Sequence, residues 1–203
     1  MSLGPMMAGG NPKRGQKKAN ELYQTPYIGT DAITHVWTEV TGKPIPEVIW
    51  EPCCGEGLMV RRLEHAGASV YATDLIQYGQ HPTGDFLTSD WPLFMEDTCI
   101  WTNPPFSKAD KFIEHARKTL KASLLVLLLK STYYHAERRT LKHFSDELLQ
   151  PSYVLPLTFR LDFEKLGKPA MECSWFIWDS DCIGKRTEFI PIHRAPVGVF
   201  DFL

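Results

Sequence analysis

Asn103-Pro104-Pro105-Phe106 follows the apolar run Thr98-Cys99-Ile100-Trp101-Thr102, and four chemical properties converge on it. Asn103 carries a neutral side-chain carbonyl that accepts hydrogen bonds. Pro104 and Pro105 have no N–H and a fixed φ, so they stiffen the turn and cannot continue a sheet. The carbonyls of Asn103 and Pro104 stay available as acceptors. Phe106 supplies a flat apolar face. The set suits a planar group with an exocyclic NH₂, offering acceptors for its hydrogens and a ring for its face. An adenine turned out of a duplex is such a group. A Pro-Pro pair after a strand is also a common turn, so the motifs upstream decide what this one does.

Glu51-Pro52-Cys53-Cys54-Gly55-Glu56-Gly57 follows the apolar residues Val48-Ile49-Trp50 and precedes a helical pattern, Leu58, Val60 and Leu63, stopped at Gly67. This reads as strand, glycine turn, helix. Gly55 and Gly57 let the backbone pass close to a ligand without a Cβ clash. The next apolar run, Ser69–Thr73, ends in Asp74 and Leu75. A carboxylate at the tip of the second strand is where a ribose diol would bind. The glycine pattern is shorter than a dinucleotide fingerprint and lacks a run of donors for a pyrophosphate, which argues for a ligand without phosphate and against NAD.

EPCCGEG, ATDL, GDFL and TNPPF, in that order, resemble motifs I to IV of class I S-adenosylmethionine-dependent methyltransferases. NPPF in particular is similar to the motif of enzymes that methylate adenine N6 in DNA, most like the small ones of phage and prophage. Tyr23-Gln24-Thr25-Pro26 resembles the Y-x-T-P element that precedes motif I in such enzymes. The resemblance implies a Rossmann-like α/β fold: a mostly parallel seven-stranded sheet of order 3-2-1-4-5-7-6, with a C-terminal antiparallel hairpin and helices on both faces. It implies S-adenosylmethionine as cofactor and DNA as partner. It places Gly55 and Gly57, with Pro52 and Cys53, under the methionine part, and Tyr23, Thr25 and Pro26 over it. Glu51 would orient the cofactor's amino group, Asp74 with Leu75 the ribose, and Asp85 and Phe86 the cofactor adenine. Asn103, Pro104, Pro105 and Phe106 would carry the reaction. NPP[YF] also binds a glutamine amide in protein-modifying relatives and guanine N2 in RNA-modifying ones, and a non-catalytic binding module could keep the same fold.

The 203-residue chain is long enough for one domain with a substantial core, and we expect residues 21–203 to form it. Residues 1–20 carry Lys13, Arg14, Lys17 and Lys18 and no acid. They read as a disordered basic tail or a cloning remnant, without a signal-peptide core. No apolar run approaches the ~20 residues of a membrane span. The five cysteines show no paired spacing and do not cluster with the histidines, so we expect reduced thiols in the cytoplasm and no metal. The net charge of −2 is unevenly placed: cations concentrate between Lys108 and Lys142. Tyr133, Tyr134, Arg138, Arg139 and Lys142 interleave rings with cations, a pattern suited to unstacked bases and backbone phosphates.

Periodicity predicts helices over Thr30–Thr41, Leu58–His65, Lys108–Leu120 and His135–Leu149. It predicts strands over Val48–Cys53, Ser69–Asp74, Thr98–Thr102, Ser123–Lys130, Ser152–Phe163 and Cys173–Trp178, with a short strand or loop at Thr83–Leu87. The loop Leu166-Gly167-Lys168-Pro169 makes the last two strands an antiparallel hairpin. Alternating strands and helices give a parallel sheet whose carboxyl edge collects Glu51–Gly57, Asp74, Asp85 and Asn103–Phe106. Target-sequence specificity would fall to loops such as Ser131–His143 or Leu166–Met171, since no long C-terminal segment is left for a separate recognition domain.

Overall fold

Leu124–Leu129 is the longest apolar run of the chain, and a strand buried on both faces is the element such a run favours. In the computed structural model, which describes residues 23–89, 98–163, 167 and 169–196, it lies in the middle of the sheet. In chain order the elements are α1 (Tyr27–Thr41), β1 (Val48–Glu51), α2 (Leu58–His65), β2 (Ser69–Ala72), β3 (Cys99–Thr102), α3 (Ala109–Glu114), β4 (Leu124–Lys130), α4 (Glu137–Arg139), β5 (Tyr153–Pro156), β6 (Cys173–Asp179) and β7 (Glu188–Phe189). The basic segment 1–20 lies outside the described residues, as do Leu166 and Lys168 of the expected loop.

One seven-stranded sheet has the order β2-β1-β3-β4-β6-β5-β7. β1 pairs in parallel with β2 and β3, and β3 with β4. β6 then runs antiparallel to β4 and β5. The expected hairpin and strand order are present, with two differences. The third strand shrinks to a single parallel bridge between Asp74 and Thr83, because Pro82 and Gly84 flank Thr83 and break a ladder. At the far edge β7, a two-residue strand with no apolar alternation to announce it, pairs in parallel with β5.

Alternation along β4 divides the core. Leu124, Val126 and Leu128 pack with α1 and α2 through Ile33, Trp37, Met59 and Leu63. Leu125, Leu127 and Leu129 pack on the other face with Phe112, Ile113 and Tyr133. α1 starts at Tyr27, three residues before the expected Thr30, because Pro26 presets the backbone at its N-cap. It closes on Gly42, whose φ of 68° lets its N–H reach the Thr38 carbonyl. Two buried polar links fix α1. Arg62 of α2 donates from Nε to Asp31 Oδ1 at 2.6 Å, and Trp175 of β6 donates from Nε1 to the Gly29 carbonyl at 2.9 Å. The start of α1, and the segment before it, is thereby held against the sheet.

Other expected elements are shorter or broken. The helix expected over Lys108–Leu120 opens in 3₁₀ form at Phe106–Lys108 and relaxes into a π-helical turn at His115–Thr119. The one expected over His135–Leu149 is instead a 3₁₀ turn at Ser131–His135, the single turn α4 and a π turn at Thr140–Phe144. Its propensity is outweighed by cross-links to α3: Lys142 pairs with Glu114 and Arg139 with Asp110 at 3.1 Å. The strand expected over Ser152–Phe163 ends at Pro156 and continues only as bridges Leu157–Ile192 and Leu161–Met171. No helix among the described residues is long and apolar enough to cross a membrane.

Asp31→Ala removes the carboxylate that accepts from Arg62 Nε, in a pair whose side chains are 12% and 6% exposed. Breaking one side of a buried pair costs about 3–5 kcal/mol. Urea unfolding of this variant should show a loss of that size, well above the effect of Glu64→Ala on the exposed face of α2.

Candidate active site

The parallel strands β1, β2 and β3 end at one edge, and the turns that leave them carry the expected motifs. β1 ends in Glu51, which is 1% exposed. Its Oε1 accepts the Cys53 backbone N–H at 3.0 Å and the Thr102 hydroxyl. Its Oε2 is buried without a hydrogen-bond partner among the described residues. Burial pushes the Glu51 carboxyl up to about 8, against the opposing pull of the Thr102 and Cys53 hydrogen bonds and with a further push from Asp74. Burial likewise raises Cys53 and Cys54, so both stay thiols and neither is an activated nucleophile.

Gly55 and Gly57 adopt φ of 52° and 77°, the left-handed conformation that favours glycine. A Cβ at Gly57 would also stand 2.9 Å from His81 Nε2. Asp74 faces this turn across the β1–β2 junction. Its Oδ2 accepts the Gly55 N–H at 2.9 Å and its Oδ1 the Ile76 N–H at 3.1 Å. Each oxygen keeps a second lone-pair direction. Leu75 beside it is 54% exposed, an apolar face presented to solvent next to a carboxylate.

Asp85 and Phe86 sit differently from one another. Asp85 Oδ1 accepts the Leu87 N–H at 3.0 Å, and its carbonyl takes the Thr88 and Ser89 N–H groups, so this residue builds its own turn. Phe86 is 3% exposed. It stacks on Phe112 at 4.5 Å and tilts against Trp50 at 5.2 Å, which makes it core beneath the edge.

Asn103 leaves β3 on the same edge. Its Nδ2 donates to the Tyr23 carbonyl at 2.9 Å and to Thr25 Oγ1 at 3.0 Å. A backbone carbonyl can only accept, so these contacts fix which end of the amide is nitrogen. Oδ1 is turned away as an acceptor and receives no donor among the described residues. Tyr23 also lies nearly parallel to Phe106, 6.1 Å between centroids and 21° between planes, and edge-on to Phe163 at 5.7 Å. Lys130, the last residue of β4, places Nζ 5.3 Å above the Phe106 ring. Thr25, 4% exposed, therefore stands against the Asn103 turn, with Pro26 next to it in the chain. Sequence reading missed the Thr25–Asn103 contact, Phe163 and Lys130. A lone cation closing a buried apolar strand was the available signal for Lys130.

The five residues expected to meet nucleic acid divide. Tyr133 is buried, donates its hydroxyl to Asp110 Oδ1 at 2.9 Å and packs under the Arg139 guanidinium at 4.7 Å. Arg139 and Lys142 are spent on Asp110 and Glu114. Tyr134 is half-buried against Phe176 and Phe189. Arg138 is exposed. Cavities of about 280 and 460 Å³ lie elsewhere, around Arg117 and around His115. At the edge just described, Tyr23 and Thr25 lie against Asn103 and Phe106. Among the described residues no group of three or more His, Cys, Asp or Glu could hold a metal ion.

No known protein family matches the chain by sequence, and no curated protein matches it. Solved structures do. A Pyrococcus horikoshii protein described as an RNA methyltransferase superposes with a TM-score of 0.59 at 15% identity, covering 78% of this chain and 86% of that one. The methyltransferase subunit of a type I restriction-modification system from Streptococcus thermophilus gives 0.61 at 12% identity over 83% of this chain, which spans 47% of that subunit. A Listeria monocytogenes protein described as a class I S-adenosylmethionine-dependent methyltransferase gives 0.54 at 13% identity over 85% of this chain and 66% of that one. At these identities the likeness is one of fold. The chain has the Rossmann-like fold of class I methyltransferases, with its motif turns on the edge where that fold binds ligands.

Glu51 generates a test in the unliganded protein. The folded state holds a proton up to about pH 8, whereas the unfolded carboxyl releases it near 4.5. Its contribution to stability is therefore fully present below 4.5 and is lost as pH rises to about 8, by at most about 1.4 kcal/mol per pH unit. Urea unfolding between those limits should show this downward slope, and Glu51→Gln should remove its share of it.

Proposed function

We propose that the protein transfers the methyl group of S-adenosylmethionine to the exocyclic N6 amine of adenine in DNA. The observation that carries this reading is the Asn103 amide, held with its oxygen outward by Tyr23 and Thr25 on a proline-stiffened turn beside an aromatic ring.

The edge residues fit the cofactor. Glu51 Oε2, without a hydrogen-bond partner among the described residues, offers a buried carboxyl oxygen to the amino group, and the left-handed Gly55 and Gly57 carry the turn beside it. Asp74 has lone pairs left for a ribose diol, and Leu75 an apolar face beside them. When bound, the cofactor supplies an electrophilic sulfonium methyl. The protein's own part is acceptance and placement. Asn103 Oδ1 and the Pro104 carbonyl take the two amine hydrogens, which draws the nitrogen lone pair out of conjugation and stabilises the charge that develops on it. Phe106 stacks the base, and the rigid Pro104-Pro105 turn keeps the amine in line. No strong base would be needed beforehand: the amine would become acidic on gaining the methyl group and would pass its proton to solvent, with Asn103 Oδ1 accepting its hydrogen bond until then.

A base amine in RNA presents the same NH₂ and is the second reading, favoured by the likeness to a chain described as an RNA methyltransferase. The likeness to a restriction-modification subunit supports DNA. Transfer of tritiated methyl to DNA, RNA and protein in parallel, followed by nucleoside analysis, decides. N6-methyladenine in DNA is the expected product. A methylated glutamine would overturn the nucleic-acid reading, and cofactor binding without transfer to any of the three would leave only a binding module.

Two variants separate the roles. Asp74→Ala should weaken S-adenosylmethionine binding by about 1.5–3 kcal/mol in calorimetry, the range for a hydrogen bond to a charged group. Asn103→Ala should keep that affinity and lose turnover by roughly 10²–10³, the cost of one preorganised transition-state group. Unchanged turnover per folded molecule would reduce the turn to a stiff connection.

A further inference from the structure

We propose that Lys130 forms a phosphate subsite of the reaction centre, binding the backbone phosphate of the nucleotide whose base stacks on Phe106. This rests on the nucleic-acid reading above and adds to it a residue and a chemical group. β4 is buried from Leu124 to Leu129 and opens to solvent only at Lys130. That position lies on the carboxyl edge, where Asn103 leaves the neighbouring strand in parallel register, Thr102 opposite Leu127.

The ammonium there is not committed to an anion. Lys43, Lys118, Arg139, Lys142 and Arg160 each hold a carboxylate, whereas Lys130 pairs with none among the described residues. Glu172, whose carbonyl takes the N–H of the next residue, Ser131, turns its own carboxylate to Arg160 at 2.6 Å. Lys130 Nζ instead rests over the Phe106 ring at 5.3 Å. A cation over a ring quadrupole at an exposed site is held less strongly than one in a charge-assisted bond to a phosphate oxygen. A base entering against that ring displaces the ammonium, and the flexible lysine stem lets Nζ move without leaving the edge. A nucleotide brings the anion that receives it. A glutamine amide brings none, so the cation also favours nucleotides over peptides.

The test compares wild type with Lys130→Met, which keeps the stem and removes the charge, and with Lys130→Arg, which restores it. DNA affinity is measured across a salt series, KM and kcat for the methylated nucleic acid are measured alongside, and S-adenosylmethionine affinity serves as a control. Lys130→Met should lower the slope of log K against log salt by about one unit. It should raise KM for nucleic acid with a smaller effect on kcat and leave cofactor affinity unchanged. Lys130→Arg should recover the slope. If wild type methylates nucleic acid and Lys130→Met matches it in slope and KM, the subsite is refuted while the proposed function stands, and Lys130 merely covers Phe106. If wild type methylates only a peptide amide, the proposed function falls and the subsite with it. Saturation by inorganic phosphate through Lys130, with the DNA slope unchanged, would make this a free-anion site and also refute the proposal.

Discussion

The edge of the sheet depends on one buried carboxylate. Glu51 Oε1 receives the Cys53 N–H from its own turn and the Thr102 hydroxyl from the neighbouring strand. The first bond shapes the descent of the chain toward Gly55. The second ties that turn to the residue immediately before Asn103. β1 and β3 share a single registered pair, Trp50 with Ile100, so these side-chain bonds carry much of the burden of holding the two strand ends in step. Desolvation favours the protonated carboxyl, so an unpaired buried charge is avoided.

Around this joint the protein uses rigid pins and leaves selected atoms open. Arg62–Asp31 and Trp175–Gly29 set the start of α1, and that start sets Thr25 and Tyr23. These in turn fix the Asn103 amide. Among the described residues, Asn103 Oδ1 receives no donor, Glu51 Oε2 has no hydrogen-bond partner and Lys130 pairs with no carboxylate. Farther along, Arg139 and Lys142 pair with Asp110 and Glu114 and link α4 and the following π turn to α3.

Motifs with a local physical cause were legible in the sequence. α2 occupies the expected Leu58–His65 because its apolar period and flanking glycines act within the segment. The edge that gathers Gly55, Asp74 and Asn103 follows from strand order alone. Features set by distant partners were not legible. Thr25 and Asn103 are 78 residues apart, and no spacing rule connects them. The π turns at His115–Thr119 and Thr140–Phe144 arise where two helical segments are cross-linked, while each sequence alone reads as an ordinary helix. Phe86 reads as a ligand contact by motif, and its burial beneath Trp50 and Phe112 appears only with both faces of the sheet assembled.

The clamp on Asn103 has a consequence for how the chain is made. Its two halves come from opposite sides of β1, and the strand that carries Asn103 is enclosed only when β4 lies beside it. β4 in turn is covered by β6, which ends at Asp179. Emerging from the ribosome in order, Tyr23–Pro26 is synthesised first, yet its partner is not seated until nearly all the described sequence has been translated. The earliest of these residues wait longest, and the Asn103 amide is oriented only once late synthesis closes the sheet around it.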